Sequence, residues 1–161
     1  MLKSENPTLA LKYFDRAYKM HLDGKIESAI KEYKASIQIF PTAKACMFLG
    51  WAYSLQGNFE IAIDECKRAI ELEPDCGRAY NDIGIYLMNL NKQDDALAWF
   101  EKAAEISDDN SKHLSYFNMG KIFDKKGDWL KASKFYNKSL LLKPEYEPAQ
   151  NALIKLFTLL N

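Results

Sequence analysis

The sequence has 161 residues, of which 48% are hydrophobic and 13% aromatic, and its 22 basic and 22 acidic residues give a formal net charge of zero. This length suits one domain with a continuous core, and the high apolar content argues against a disordered chain. The balanced charge also argues against a nucleic-acid-binding protein, because such proteins are typically basic.

No segment has the character of an export signal or a membrane span. The first residues, MLKSENPTLALKYF, lack the uninterrupted apolar run of a signal peptide. No stretch approaches ~18 consecutive apolar residues, so we expect no membrane partner. The cysteines Cys46, Cys66 and Cys76 have no metal-like spacing, and an odd number would leave a stray thiol in a secreted chain. We therefore predict no metal, no cofactor and a reducing, cytoplasmic location.

In chain order, the sequence predicts nine helices. The first begins at Asn6-Pro7, because asparagine caps a helix well and proline suits its first turn. Turns are expected where glycine or asparagine tolerates a left-handed backbone, at Asp23-Gly24, Gly57-Asn58, Asn91 and Gly127-Asp128. The helices are predicted at about 7–22, 26–39, 77–90, 93–106, 112–126, 129–142 and 148–160, with one further pair within 43–74.

The stretch from Ala43 to Pro74 shows how these helices pair. Gly50 in its first helix and Ala62 in its second are both small, so the two backbones can approach closely as an antiparallel hairpin. Pro74 ends the unit because proline cannot continue a helix. Such a hairpin cannot cover its own outer apolar surface, so it needs neighbours of the same kind.

The small residues return at a nearly constant spacing. In the second helix of each pair they are Ala29, Ala62, Ala96 and Ala132, at steps of 33, 34 and 36 residues. In the first helix they are Ala17, Gly50, Gly84 and Gly120, at the same steps. This pattern resembles the tetratricopeptide repeat (TPR), whose period is ~34 residues. The resemblance extends over about residues 10–144, and it departs from the pattern at Arg16, at Asp108 and around Asn110.

The resemblance implies an all-α fold, a right-handed superhelical solenoid of four antiparallel helix-turn-helix repeats plus a C-terminal helix. We place the repeats at about 10–42, 43–76, 77–110 and 113–146, and a capping helix at about 147–160, in a single TPR domain over 1–161. In this family, one face of each first helix lines a concave groove that binds other proteins. We therefore expect the ligand-binding residues on that face.

The residues of the groove are predicted from helix geometry, because one step along a helix turns ~100° away from the core-facing side. The first half of the expected groove is aromatic and apolar, and the second half mixes amides with lysines. The predicted ligand-binding residues are Phe14, Tyr18, Lys44, Met47, Trp51, Arg78, Asn81, Ile85, Met88, Phe117, Asn118, Lys121, Asn151 and Lys155.

Two interpretations of the aromatic half are open. The rings either form core between neighbouring repeats or contact the side chains of a bound peptide, since aromatics and methionine are enriched at protein contacts. The carboxylate clamp of this family, which binds the C-terminus of heat-shock chaperones, needs lysine and asparagine on the first helix. This sequence has Phe14 and Tyr18 there, so that ligand is disfavoured.

The last predicted helix is more apolar than the polar outer face expected of a terminal helix. We expect Leu153, Ile154 and Phe157 to pack on the fourth repeat. The remaining leucines either fold back onto that repeat or form a contact between two copies, because exposed apolar patches mark interfaces. The predicted homo-oligomer contact consists of Leu156, Leu159 and Leu160.

Charge is unevenly distributed along the chain. Residues 1–57 hold 8 basic and 5 acidic residues, residues 58–110 hold 5 and 13, and residues 111–146 hold 8 and 3. These are either ordinary solvated helix faces or a field that steers a partner. The lysines of the fourth repeat form one patch beside an acidic centre, so we expect no nucleic-acid partner.

No catalytic arrangement is evident. The two histidines, His21 and His113, have no nucleophile, carboxylate or metal-ligand pattern at a useful spacing, so we predict no catalytic residue and no enzyme. The sequence instead predicts a protein-interaction scaffold or adaptor that binds a peptide segment of another protein in the concave groove. The alternatives are a structural subunit that self-assembles through its terminal helix and a chaperone of a secretion substrate.

Overall fold

The computed structural model describes residues 6–106 and 109–160, except for the side chains of 109, 110, 159 and 160. Within these residues the chain forms nine helices and no strand. They are α1 (Pro7–Leu22), α2 (Ile26–Ile39), α3 (Ala43–Leu55), α4 (Phe59–Leu72), α5 (Gly77–Asn89), α6 (Gln93–Glu105), α7 (Asp109–Lys125), α8 (Trp129–Leu142) and α9 (Glu147–Leu160).

Local side-chain chemistry determines where several helices begin and turn. The Asn6 side chain accepts a hydrogen bond from the Leu9 amide at 2.9 Å, and Thr42 caps α3 in the same way through the Ala45 amide at 3.1 Å. These caps satisfy amides that have no partner inside the helix. Asn91 adopts a φ of 59°, the left-handed conformation predicted for the turn between α5 and α6.

Small residues are required where paired helices cross. A Cβ atom added at Gly84 would lie 2.5 Å from the Phe100 ring, and one added at Gly120 would lie 2.5 Å from the Tyr136 ring. At Gly50 the nearest atom is the Ala62 carbonyl oxygen, at 3.0 Å, as the predicted close contact requires. Because packed interiors leave no room for an added methyl, these positions bring the helices of each pair into close contact.

Each helix packs against the next one in sequence, and α1 also contacts α3 while α5 contacts α7. Helices α1 and α3 therefore lie side by side, and so do α5 and α7. The core follows the chain as consecutive clusters rather than as one central cluster. This arrangement of nine helices is the all-α solenoid that the repeat spacing predicts.

The fourth repeat begins earlier than predicted. Helix α7 starts at Asp109 instead of residue 112, so the extra residues lengthen the helix by almost one turn. Ser111 lies buried against Gly77, where an added Cβ would approach its Oγ to 3.1 Å. The departure predicted at Asp108 lies outside the described residues.

The orientation predicted for α9 is wrong. Leu153 packs on the fourth repeat as expected, but Leu156 is 2% exposed and buried beside it, while Ile154 and Phe157, at 63% and 56%, face outward. The helix is rotated because Ala149, Leu153 and Leu156 form one continuous stripe toward α8. Leu156 is therefore not available to a second copy, and the side chains of Leu159 and Leu160 lie outside the described part of the chain.

Candidate functional site

Helices α1, α2 and α3 bring together an aromatic cluster, which consists of Phe14, Tyr18, His21, Tyr33, Phe48 and Trp51. The Phe48 ring is central, with its centroid 5.3 Å from that of Phe14, 5.5 Å from that of Tyr18 and 5.8 Å from that of Trp51. Edge contacts of this kind stabilise buried rings. Phe14 is buried by them, whereas Tyr18 and Trp51 remain partly exposed.

His21 is a packing residue of this cluster. The centroid of its ring lies 4.0 Å from the centroid of the Trp51 ring, and its Nδ1 lies 3.3 Å from the Tyr33 hydroxyl oxygen. Burial lowers the pKa of His21 below its ordinary value, so the ring is neutral at physiological pH. Its Nε2 is buried without a hydrogen-bond partner among the described residues.

The polar half of the predicted groove is closed by contacts among its own amides. Asn81 is buried on α5, and its Oδ1 accepts hydrogen bonds from Ser115 Oγ at 3.3 Å and from Asn118 Nδ2 at 3.2 Å. Asn118 is buried as well. In this conformation these amides join α5 to α7 and have little surface for a ligand, which differs from their predicted role.

The other predicted residues are distributed between the surface and the core. Lys121 is exposed beside Phe117, with its Nζ 5.7 Å from the ring centroid, and Lys44 lies 4.8 Å from the Phe14 ring centroid. Met88 and Phe117 are half-buried. Asn151 and Lys155 are exposed on α9.

A cavity of about 290 Å³ opens between α3 and α5, at the junction of the aromatic and polar halves. We call it the groove pocket. Four of its lining residues are predicted from the sequence, namely Met47, Trp51, Arg78 and Ile85. The remaining lining residues are Phe48, Ser54, Phe59, Asp82, Tyr86 and Asn89.

Two of the residues missed by the sequence prediction could have been found from the repeat spacing. Phe48, Asp82 and Asn118 recur at steps of 34 and 36 residues, so they occupy one structural column. Only Asn118 was assigned to the groove. The other two line the groove pocket, and each directly follows a predicted groove residue in the sequence, Met47 or Asn81, so it lies one helical step further from the core-facing side.

Asp82 is the buried charge of the groove pocket. Its side chain is only 20% exposed, and its Oδ2 lies 4.0 Å from Nε of Arg78, whose side chain is 60% exposed. Burial raises the pKa of Asp82 to about 6, against the opposing effects of Arg78 and a hydrogen bond from Asn81. The carboxylate is thus ionised at neutral pH, inside a pocket with four aromatic walls.

The described residues show two further features that bear on chemistry. Over 6–106 and 109–160, no three or more His, Cys, Asp or Glu side chains are grouped so that they could hold a metal ion. In the same ranges, no helix is long and apolar enough to cross a bilayer.

Helices that pair with the next one in sequence, with small residues at equivalent positions of successive pairs, define a helical-repeat protein. Models of the tetratricopeptide repeat family match residues 47–111 and 114–146. The chain belongs to this family.

Relatives in the same family are distant. The mitochondrial import receptor subunit TOM70 of Rattus norvegicus is 30% identical over 139 residues, which are 84% of this chain and 22% of that protein. The anaphase-promoting complex subunit CDC16 of Saccharomyces cerevisiae is 28% identical over 93% of this chain and 18% of that protein. The chain thus spans about a fifth of the length of these curated relatives.

Solved structures show the same fold. The type IV pilus biogenesis factor PilW superposes with a TM-score of 0.83 at 19% identity, over 94% of this chain and 70% of that one. YrrB, described as a TPR protein with an unusual peptide-binding site, superposes with a TM-score of 0.72 at 19% identity, over 89% of this chain and 73% of that one. At these identities the likeness concerns the fold alone.

Proposed function

We propose that this protein is an interaction scaffold or adaptor that binds a peptide segment of a partner protein at the groove pocket. The observation that carries the proposal is an open cavity, at the junction of α3 and α5, that combines exposed aromatic surface with a buried carboxylate. Elsewhere on this face, Phe14, Asn81 and Asn118 are buried by contacts with their neighbours.

The size of the groove pocket suits a side chain better than a whole small molecule. Its volume of about 290 Å³ lies at the lower limit of the ~300–1,000 Å³ typical of small-molecule sites. Peptide-binding domains commonly hold an extended or helical segment by inserting individual side chains into such pockets. YrrB, which has a similar fold, is described as having a peptide-binding site, and this supports a peptide as the ligand.

The test is partner capture with a matched pair of tryptophan variants. Trp51 lines the groove pocket and is 38% exposed, whereas Trp129 is 43% exposed at the start of α8, away from it. Proteins captured from native extract by the wild type should be lost with Trp51→Ala and kept with Trp129→Ala. If both variants capture the same partners, binding does not use the groove pocket.

Phe14 is a poor choice for this test, although it belongs to the predicted groove. It is buried among Tyr18, Tyr33 and Phe48, so its removal would weaken the fold as well as any binding. Tyr18→Ala is the better second variant, because Tyr18 is exposed at the edge of the aromatic cluster.

Self-assembly is a second candidate function, favoured by the apolar end of the solenoid. Ile154 and Phe157 of α9 are exposed there, and a cavity between α8 and α9 is lined by Trp129, Leu130 and Phe157. If two copies associate through this end, Ile154→Glu with Phe157→Glu should reduce the mass measured by light scattering. A wild type that is monomeric at high concentration would exclude this function.

A further inference from the structure

The groove pocket contains a carboxylate whose charge is incompletely compensated. The Arg78 Nε to Asp82 Oδ2 distance of 4.0 Å exceeds hydrogen-bond length, and the arginine is mostly in solvent while the aspartate is mostly buried. Buried charges in proteins are normally paired at close range, because transfer from water is costly. Asp82 is therefore poised to accept a second, better placed cation.

The walls of the groove pocket suit a planar cation. Trp51 and Phe48 stand at 71° to each other with ring centroids 5.8 Å apart, and Phe59 and Tyr86 line the same cavity. A guanidinium group stacks on aromatic faces and binds carboxylates through two parallel N–H donors. A lysine ammonium lacks the planar shape that stacking requires.

We propose that the groove pocket binds an arginine side chain of the partner protein, with Asp82 as its counter-ion and the Trp51 ring as its stacking surface. The location rests on the proposed function, and the chemistry of the guest is the new element. The bound segment is accordingly a basic peptide.

Competing guests are less favourable in this pocket. A carboxylate drawn to Arg78 would separate that arginine from Asp82 and would add a second negative charge beside a buried one. An apolar side chain would exclude water from Asp82 without providing a counter-ion. An arginine guest instead releases Arg78 into solvent, where the loss of an exposed ion pair costs little.

The charge distribution around the pocket favours the same partner. Residues 58–110, which include α4, α5 and α6, hold 13 acidic and 5 basic residues. Fields of this kind accelerate the association of oppositely charged segments. A basic peptide is therefore attracted to the part of the molecule in which Asp82 lies.

The test uses amino-acid amides as probes and the three indole N–H signals of the protein as reporters. The full chain, labelled with ¹⁵N, is titrated with N-acetyl-arginine amide, with its neutral isostere N-acetyl-citrulline amide and with N-acetyl-glutamate amide. We expect a saturable shift of the Trp51 indole signal with the arginine probe, about tenfold weaker binding of citrulline and none of glutamate. Trp99 and Trp129 serve as internal controls.

Two variants assign the effect to the buried carboxylate. Asp82→Asn keeps the shape of the side chain and should reduce arginine binding to the level of citrulline. Asp95→Asn removes the same charge from an exposed position on α6 and should leave arginine binding unchanged. Equal binding of arginine and citrulline, preferred binding of glutamate, no saturable shift with arginine, or an unaffected Asp82→Asn variant would each overturn the proposal.

Failure of this proposal can be distinguished from failure of the proposed function. If partner capture requires Trp51 but the arginine probe does not bind, the groove pocket holds a peptide of different chemistry. If the arginine probe binds but capture survives Trp51→Ala, the pocket selects a cation that the captured partners do not provide.

Discussion

The two halves of the groove face use equivalent helix positions in opposite ways. Phe14, Met47, Asn81 and Phe117 occupy one structural column of the repeat. In α1, Phe14 is buried because aromatic rings pack on it, whereas in α5, Asn81 is buried because it accepts hydrogen bonds from Ser115 and Asn118 of α7. Where the two halves meet, the aromatic side of α3 faces Arg78 and Asp82 of α5. Neither ring packing nor amide hydrogen bonds close the space between these two helices. The groove pocket lies at that junction.

The largest expected effect tests the aromatic half. Phe14→Ala should lower the free energy of unfolding by about 3 kcal/mol, because it removes a buried ring and leaves a cavity among its neighbours. Urea unfolding at constant temperature measures this loss. The control is Tyr18→Ala, which removes a partly exposed ring and should lower the free energy of unfolding by about 1 kcal/mol. A smaller loss for Phe14→Ala than for Tyr18→Ala would mean that the cluster is not packed as described.

The next effect tests the polar half. Asn81→Ala should cost about 2 kcal/mol, because it leaves the Ser115 hydroxyl and the Asn118 amide without their acceptor in a buried site. The exposed Asn151→Ala should change stability by less than about 0.5 kcal/mol. In a double-mutant cycle, Asn81→Ala and Asn118→Ala should couple by about 1 kcal/mol. Simple additivity would show that the two amides do not interact.

At the junction of the two halves, a substitution of Asp82 should raise the free energy of unfolding, whereas Phe14→Ala and Asn81→Ala should lower it. The pKa of Asp82 in the folded protein, about 6 compared with 3.8 for an ordinary aspartate, is raised by burial. Protonation therefore favours the folded state, and the contribution of Asp82 to stability is fully present below pH 3.8 and is lost as the pH rises through about 6. Asp82→Asn should consequently stabilise the protein by about 1–2 kcal/mol at neutral pH.

Urea unfolding of the wild type and of Asp82→Asn across the acidic range checks this prediction. The advantage of the variant should disappear as the pH falls below the ordinary aspartate value. Burial lowers the pKa of His21, which gives the opposite pH dependence, but it is present in both proteins and cancels in the difference. A variant that is less stable than the wild type at neutral pH would mean that Asp82 is well compensated by its neighbours.

The smallest effect distinguishes exposed polar residues from buried ones in the second half. Lys121 is exposed beside Phe117, and Lys121→Gln should change the free energy of unfolding by less than about 0.5 kcal/mol. Its melting curve should overlay that of the wild type. A larger loss would assign a structural role to this lysine and would weaken the contrast with Asn81.

The repeat could be predicted from the amino-acid sequence, because its signals act within one helix or between consecutive helices. Caps such as Asn6 and turn residues such as Asn91 act within a few residues of their own positions, and small residues at a nearly constant spacing mark where each helix crosses the next one in sequence. Helix pairs and their order therefore follow from the amino-acid sequence. The exposed edge of the aromatic half, Tyr18 and Trp51, also follows from one helical step beyond the core.

The exposure of the groove residues, by contrast, depends on packing between helices that are distant in sequence. Phe14 and Asn81 are buried by helices about one repeat away in sequence, and the rotation of α9 that buries Leu156 depends on its contact with α8. The groove pocket likewise requires Phe48 and Asp82, from adjacent repeats, on facing surfaces. Helical periodicity specifies the direction of a side chain relative to its own helix, but burial depends on what the neighbouring helix places opposite it.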